Sequence, residues 1–166
     1  MGAPRAPRDR VSMNEAPPPG RGFTLHELLV VLAVLAVLAA IAAPAAAGVS
    51  DAVAARGARD ATASLLSRGR AEAPARGGTY LSVDLGTAMA TLRAGRPGAE
   101  GALLATLDLR HTFGAKVDSR GVTEGVVDLV FDAHGIGRVA SRTLSFRRGG
   151  AEAALTVSSY GRVRRW

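Results

Sequence analysis

Few side chains in this sequence are of the types that do chemistry, and their spacing does not favour it. The chain has no cysteine. That excludes a thiol nucleophile, a Cys-ligated zinc site, an iron–sulfur cluster and a disulfide scaffold. His26, His111 and His134 lie far apart and in no metal-ligand spacing. Asp132 and His134 could be drawn as a catalytic or metal pair, but they follow an apolar run, where a loop is the plainer reading. His111 beside Arg110 carries no further signal, and His26 lies at the head of the apolar run. No G-x-S-x-G, P-loop or G-x-G-x-x-G string occurs. The residue types point away from an enzyme, with no catalytic residue, metal site or cofactor expected.

Two other groups stand out. The first is Glu27, a lone carboxylate at the head of Leu28 to Val49, which is 22 residues without a charge. A carboxylate carried to the centre of a bilayer costs roughly 2.5–3.5 kcal/mol, so one in such a place usually has a partner and a role. The second is the basic C-terminus. The sequence holds 21 Lys+Arg against 14 Asp+Glu, and Lys116 is the single lysine. From Asp51 to His134 ten basic residues balance ten acidic ones, whereas Gly135 to Trp166 carries seven arginines against Glu152 alone. The arginine bias also suits a GC-rich genome.

The elements that position these groups follow from composition. The 166 residues make about one domain. Met1 to Gly22 is rich in Pro, Gly and Arg, without helical or strand period, and reads as a disordered basic tail. The apolar run, built as helix, spans about 33 Å, enough to cross a bilayer. Pro44 sits late in it, where it kinks a helix or leaves a carbonyl for neighbours to satisfy. Arg5, Arg8, Arg10 and Arg21 precede the run, and Arg56 and Arg59 follow it. The bias places the N-terminus in the cytoplasm and the C-terminal part outside. Three readings compete: a secretory signal cut after Ala45-Ala46-Ala47, a plain single-pass anchor, and a processed filament subunit.

The third reading rests on Gly22-Phe23-Thr24-Leu25-His26-Glu27-Leu28-Leu29-Val30-Val31. This string resembles the class III signal of type IV prepilins and pseudopilins. The resemblance implies cleavage by a prepilin peptidase after Gly22, N-methylation of the new N-terminal Phe23, and an assembly role for Glu27 and Pro44. In that family the acidic side chain meets the N-terminal amine of a neighbouring subunit, and such a pair is strong in a low-dielectric helix bundle. Ala39-Ala40 and Ala45 to Ala47 allow close helix approach. His26 departs from the family pattern, which has an apolar residue there more often, and the leader is long.

Beyond the run, Val49, Val53, Gly57, Ala61 and Leu65 recur every four residues, which predicts a helix from Ser50 to about Ala73 with a narrow apolar stripe. Pro74 and Gly77-Gly78 are expected to end it. Strands are expected over 79–85, 103–109 and 126–131. A hairpin of 142–146 and 154–157 is expected around Arg148-Gly149-Gly150. Ala99 to Gly101 and Gly121 to Gly125 read as loops, and 88–117 has no clear pattern. The fold class is α+β: a long N-terminal transmembrane helix continuing into a small antiparallel sheet domain. The expected divisions are a cleaved leader 1–22, a membrane and filament-core helix 23–49, a periplasmic extension 50–78 and a β-rich domain 79–166.

Phe131-Asp132-Ala133-His134-Gly135, the Gly-rich hairpin and Val157 to Arg164 resemble the type II secretion protein H/FimT-like family, and Arg70 to Ala73 with Arg76-Gly77 resemble its helix end. The resemblance implies a minor pseudopilin of a type II secretion pseudopilus, anchored by one pass in the inner membrane with its C-terminal domain in the periplasm. Its partners are the prepilin peptidase and other pseudopilins or pilins. In FimT-like minor pilins a Gly-Arg-x-Arg tail is linked to DNA binding during uptake, and Gly161-Arg162-Val163-Arg164 fits it. Arg147, Arg148, Arg165 and Trp166 complete the candidate anion-binding set. The competing reading is a solvated arginine-rich surface or a contact to an acidic neighbour.

Overall fold

The computed structural model describes residues 22–99, 101–138 and 140–166; the leader residues 1–21 lie outside it. Helix α1 runs over Leu25–Arg76, through both Pro44 and Pro74. The chain divides into two compact units, and the described part of the first is 22–39. It consists of the start of α1 and presents exposed Leu and Val side chains on all sides. A helix apolar all round suits a lipid or a protein surround, and one element of this length and composition can cross a membrane.

The second unit, 40–166, holds the core. It contains the rest of α1, then β1 (Gly78–Asp84), β2 (Met89–Ala94), β3 (Leu103–Asp108), α2 (Leu109–Phe113), β4 (Lys116–Asp118), β5 (Val126–Asp132), β6 (Arg142–Arg148), β7 (Ala151–Val157) and β8 (Val163–Arg165). The strands make two four-stranded antiparallel sheets, ordered β3-β2-β1-β5 and β4-β6-β7-β8, where the sequence suggested one. Alternation aims Leu81, Val83, Leu92, Leu129 and Phe131 of the first sheet, and Val117, Leu144, Phe146, Leu155 and Val157 of the second, into one core with Ala58 and Leu66 of α1.

Several expectations are corrected. The apolar stripe of α1 is displaced: Val49 and Val53 are 66% and 63% exposed, and the buried face is Ala55, Ala58, Thr62, Leu66, Gly69 and Ala73. A strict four-residue spacing drifts around a 3.6-residue helix, whereas this mixed three-and-four spacing holds one face. Pro74 does not stop the helix. In the last turn its missing N–H frees only the Arg70 carbonyl, and the loop at Gly135 packs so close that an added Cβ would lie 3.0 Å from that oxygen. The true stop is Gly77, left-handed at φ 70°. The strand expected to reach Leu109 ends at Asp108, which turns the chain into α2 by accepting the His111 N–H at 2.7 Å. β2, β4 and β8 arise where no strand was expected. The hairpin strands β6 and β7 meet at Gly149-Gly150, longer than expected.

Candidate processing motif and basic sheet face

At the start of α1, Thr24 and Glu27 form a reciprocal cap. The Thr24 N–H and its hydroxyl donate to Glu27 Oε2 at 3.2 Å each, and the Glu27 N–H donates to Thr24 Oγ1 at 3.2 Å. Two helix-end donors are satisfied in this way. The Glu27 carboxylate is thereby folded back toward the chain start, where Gly22, Phe23, Thr24 and Glu27 line one small cavity. Phe23 is 75% exposed. Gly22 has open space around the position of a Cβ, so nothing in the described residues requires a glycine there. Thr24 had no role in the sequence reading, although Thr-x-x-Glu before an apolar run is the signature that finds it. α1 continues unbroken through Pro44.

The basic residues of the C-terminal part divide into two groups. Most are engaged. Arg147 pairs with Asp118 at 3.4 Å and Glu152 at 3.1 Å. Arg148 pairs with Asp51 at 3.2 Å and donates to the Phe113 carbonyl at 3.0 Å, tying β6 to both helices. Arg138 pairs with Asp132 at 2.7 Å, and Arg165 lies 3.6 Å from Asp60. The carboxylates respond. Asp60 is lowered chiefly by its hydrogen bond from Arg59, with Arg165 adding charge. Glu152 is lowered by Ser145 and then by Arg147. Arg142, Arg162 and Arg164 make no ion pair among the described residues.

Strand alternation separates Arg164 from Arg165. Arg164 lies opposite Thr156, on the outward face of the second sheet, while Arg165 lies opposite Leu155 on the side that reaches Asp60. Thr156, Ser158, Tyr160, Arg162 and Arg164 line one open groove. Gly161 sits between the two outer members because nothing larger is tolerated there. Its φ is 79°, and an added Cβ would lie 2.7 Å from Phe131 Cε1. Gly137 faces it across the gap, where an added Cβ would come within 2.5 Å of the Gly161 nitrogen. The glycine of Gly-Arg-x-Arg is therefore a packing requirement. Asp132 and His134 do not form a catalytic pair: the Asp132 carboxylate accepts the backbone N–H groups of His134 and Ile136 at 2.8 and 3.0 Å, organising the loop 132–138.

Residues 20–43 match the family described as the prokaryotic N-terminal methylation motif. The structure is similar to the type IV minor pilin FimU of Pseudomonas aeruginosa, at TM-score 0.51 and 21% identity, over 67% of this chain and 91% of that one. It is similar also to the minor pseudopilin EpsH of the Vibrio cholerae Type 2 Secretion System, at TM-score 0.52 and 17% identity, over 68% of this chain and 95% of that one. The chain has a type IV pilin-like fold. At these identities the structural likeness is one of fold, and the methylation motif is the evidence read from sequence. No curated protein sequence matches the chain. The pilin-like architecture accounts for a long apolar α1 followed by an antiparallel β-domain. The motif spans the expected cleavage site, Gly22 and Phe23, together with Glu27.

Proposed function

We propose that this chain is a minor pseudopilin subunit of a type II secretion pseudopilus. The leader 1–22 is removed after Gly22, Phe23 is methylated, and the mature subunit enters the filament through residues 23–49, with 50–78 and the β-domain 79–166 in the periplasm. Glu27 and Pro44 act in assembly, and the chain itself catalyses nothing. The observation that carries the reading is the methylation motif at the mouth of a membrane-length helix. The secretion assignment is preferred because the H-like pattern runs from the helix end through the C-terminal hairpin.

The capped geometry supports a specific role for Glu27. Cleavage after Gly22 creates an ammonium on Phe23, one residue along the backbone from the Thr24 N–H that the carboxylate already accepts. Holding the carboxylate toward the chain start leaves it ready for a subunit amine. The test is mass analysis of membrane-extracted protein. Wild type is expected to begin at Phe23 with one added methyl. Gly22→Ala is expected to accumulate uncut, because an alanine fits the chain there and only the peptidase would reject it. Glu27→Ala is expected to be cut and methylated but to assemble poorly in filament pull-downs. A mature terminus at Gly48 would instead establish a secretory signal.

A second reading has its own observation. Arg162 and Arg164 have no acidic partner among the described residues and lie on an outward face, which suits a FimT-like minor pilin that holds DNA during uptake. Retention of DNA that falls in Arg162→Ala/Arg164→Ala protein would favour it; no retention at low salt would leave the secretion reading alone.

A further inference from the structure

We propose that the outward face of β8 is a stacking surface for single-stranded DNA, which rests on the DNA-contact reading above and narrows it to unpaired strands. Four side chains carry the argument: Tyr160, Arg162, Arg164 and Trp166. Arg162 answers Ser158, its N–H donating to Ser158 Oγ at 3.0 Å while its carbonyl accepts the Ser158 N–H at 2.9 Å. Arg164 lies opposite Thr156. Trp166 exchanges backbone hydrogen bonds with Ala154, at 2.9 and 3.3 Å. Ser158, Thr156 and Ala154 alternate along the outward side of β7, so Arg162, Arg164 and Trp166 share that side, about 6.8 Å from one to the next. Tyr160 lines the same groove as the two arginines.

The end of this segment is not a loose tail. The Trp166 carbonyl also accepts Arg59 Nη1 at 2.8 Å, and the neighbouring Arg165 leans on Asp60. An anchored backbone bears two aromatic rings that are 76% and 69% exposed, at Tyr160 and Trp166. Ala154, opposite Trp166, is too small to cover the indole. Tyr160 sits in a turn closed by the Gly161 N–H donating to the Ser158 carbonyl at 2.8 Å, and Trp166 directly follows β8; rings held open on tied-down backbone lose little freedom when something stacks on them.

The chemistry of the array selects its occupant. Two arginines with no carboxylate partner among the described residues match two phosphates. The rings at the ends of the array have only their faces to offer, and base faces are reached only where bases are unpaired and unstacked. A duplex hides those faces, and two cations are a small footing for it. Polar Thr156 and Ser158 beside the arginines add hydrogen bonds to sugar or phosphate.

The experiment uses the full chain in detergent with a 12-nucleotide oligothymidine, the corresponding duplex, and a heparin fragment as a polyanion without bases. Trp166 is the sole tryptophan, so its emission reports on this surface directly. Oligothymidine is expected to quench it and the duplex is not. Tyr160→Ala/Trp166→Ala, which changes no charge and touches no core residue and whose binding is read from the anisotropy of a dye-labelled oligonucleotide, is expected to weaken oligothymidine binding about 30-fold, as for two stacked bases, and to leave duplex binding unchanged. Arg162→Ala/Arg164→Ala is expected to reduce the log–log salt slope by about 1.4 relative to wild type; basic residues elsewhere in the chain contribute equally to both proteins. Duplex binding as tight as single strand, with the aromatic variant unaffected, overturns the stacking proposal and leaves the DNA reading standing. Tighter quenching by heparin assigns the face to an anionic polysaccharide. Indifference of every probe to Arg162→Ala/Arg164→Ala overturns the stacking proposal and the DNA reading together.

Discussion

Asp132 shows what a single carboxylate does here. Three donors converge on it: the Ile136 and His134 amides and the Arg138 guanidinium. They hold its carboxyl down to about 2, the Ile136 amide contributing most. A folded value below the unfolded one, near 3.9, means the contribution is complete above about pH 4 and is lost as pH falls toward 2. Asp132→Asn is expected to lower the melting temperature at pH 7 and to flatten its decline between pH 4 and 2. Thermal melts across that window check it, and superimposable profiles would count against it. The sequence put Asp132 in a loop, whereas it is the last residue of β5; nor could it show that the loop that follows is built around this carboxylate, because the donors are backbone amides whose direction depends on the fold. Gly161 is similar. Its φ of 79° and contact with Phe131 predict that Gly161→Ala loses about 1–3 kcal/mol in urea unfolding. Gly150→Ala, with open space at its Cβ, is expected to lose far less.

Between residues and molecule stand the elements, and their legibility followed side-chain size. β1 and the β6–β7 hairpin alternate Leu, Val and Phe against polar residues, so period two is visible in sequence, and β5 stands out as a dense apolar run. β2 alternates as well, but Ala90 is one of its two inward residues and gives little contrast. β4 and β8 are three residues each, too short for any period. β8 consists largely of arginines and becomes a strand because β7 offers it hydrogen bonds. The face of α1 was misread for the same reason as β2. Its large residues Val49 and Val53 are outside, and its buried residues are mostly alanine, because two sheets and a helix share one small core. That closeness predicts the effect of added volume. Ala58 has no exposure, so Ala58→Leu is expected to destabilise the domain by about 1–3 kcal/mol. Val53→Leu, on the exposed face, is expected to change stability by less than about 0.5 kcal/mol. Chemical denaturation of the two variants in parallel checks the assignment of the face, and the reverse order would restore the four-residue stripe.

At the scale of the whole molecule, stability and membrane affinity are separable because the residues that supply them do not overlap. Every buried apolar residue among those described lies at Ala54 or later, while Phe23 to Val49 is exposed throughout wherever its side chains are described. The apolar run therefore adds nothing to the core and depends on lipid or on other subunits for its own burial. The β-domain has, within its own sequence, two sheets, the capped α2 and the ion pairs that join α1 to β6 and β8. A chain starting at Ser50 keeps all of these, including Asp51 for Arg148. It is expected to be soluble, to melt cooperatively, and to show the same Asp132-dependent acid profile as the complete protein. The complete protein is expected to stay in the membrane fraction through high-salt and alkaline washes, since its retention rests on a buried helix and not on its arginines. A piece from Ser50 that fails to fold would show that the apolar half of α1 stabilises the domain. Release of the complete protein by salt would show that basic residues hold it at a lipid surface, and either result would remove the separation of anchor from domain on which the proposed function rests.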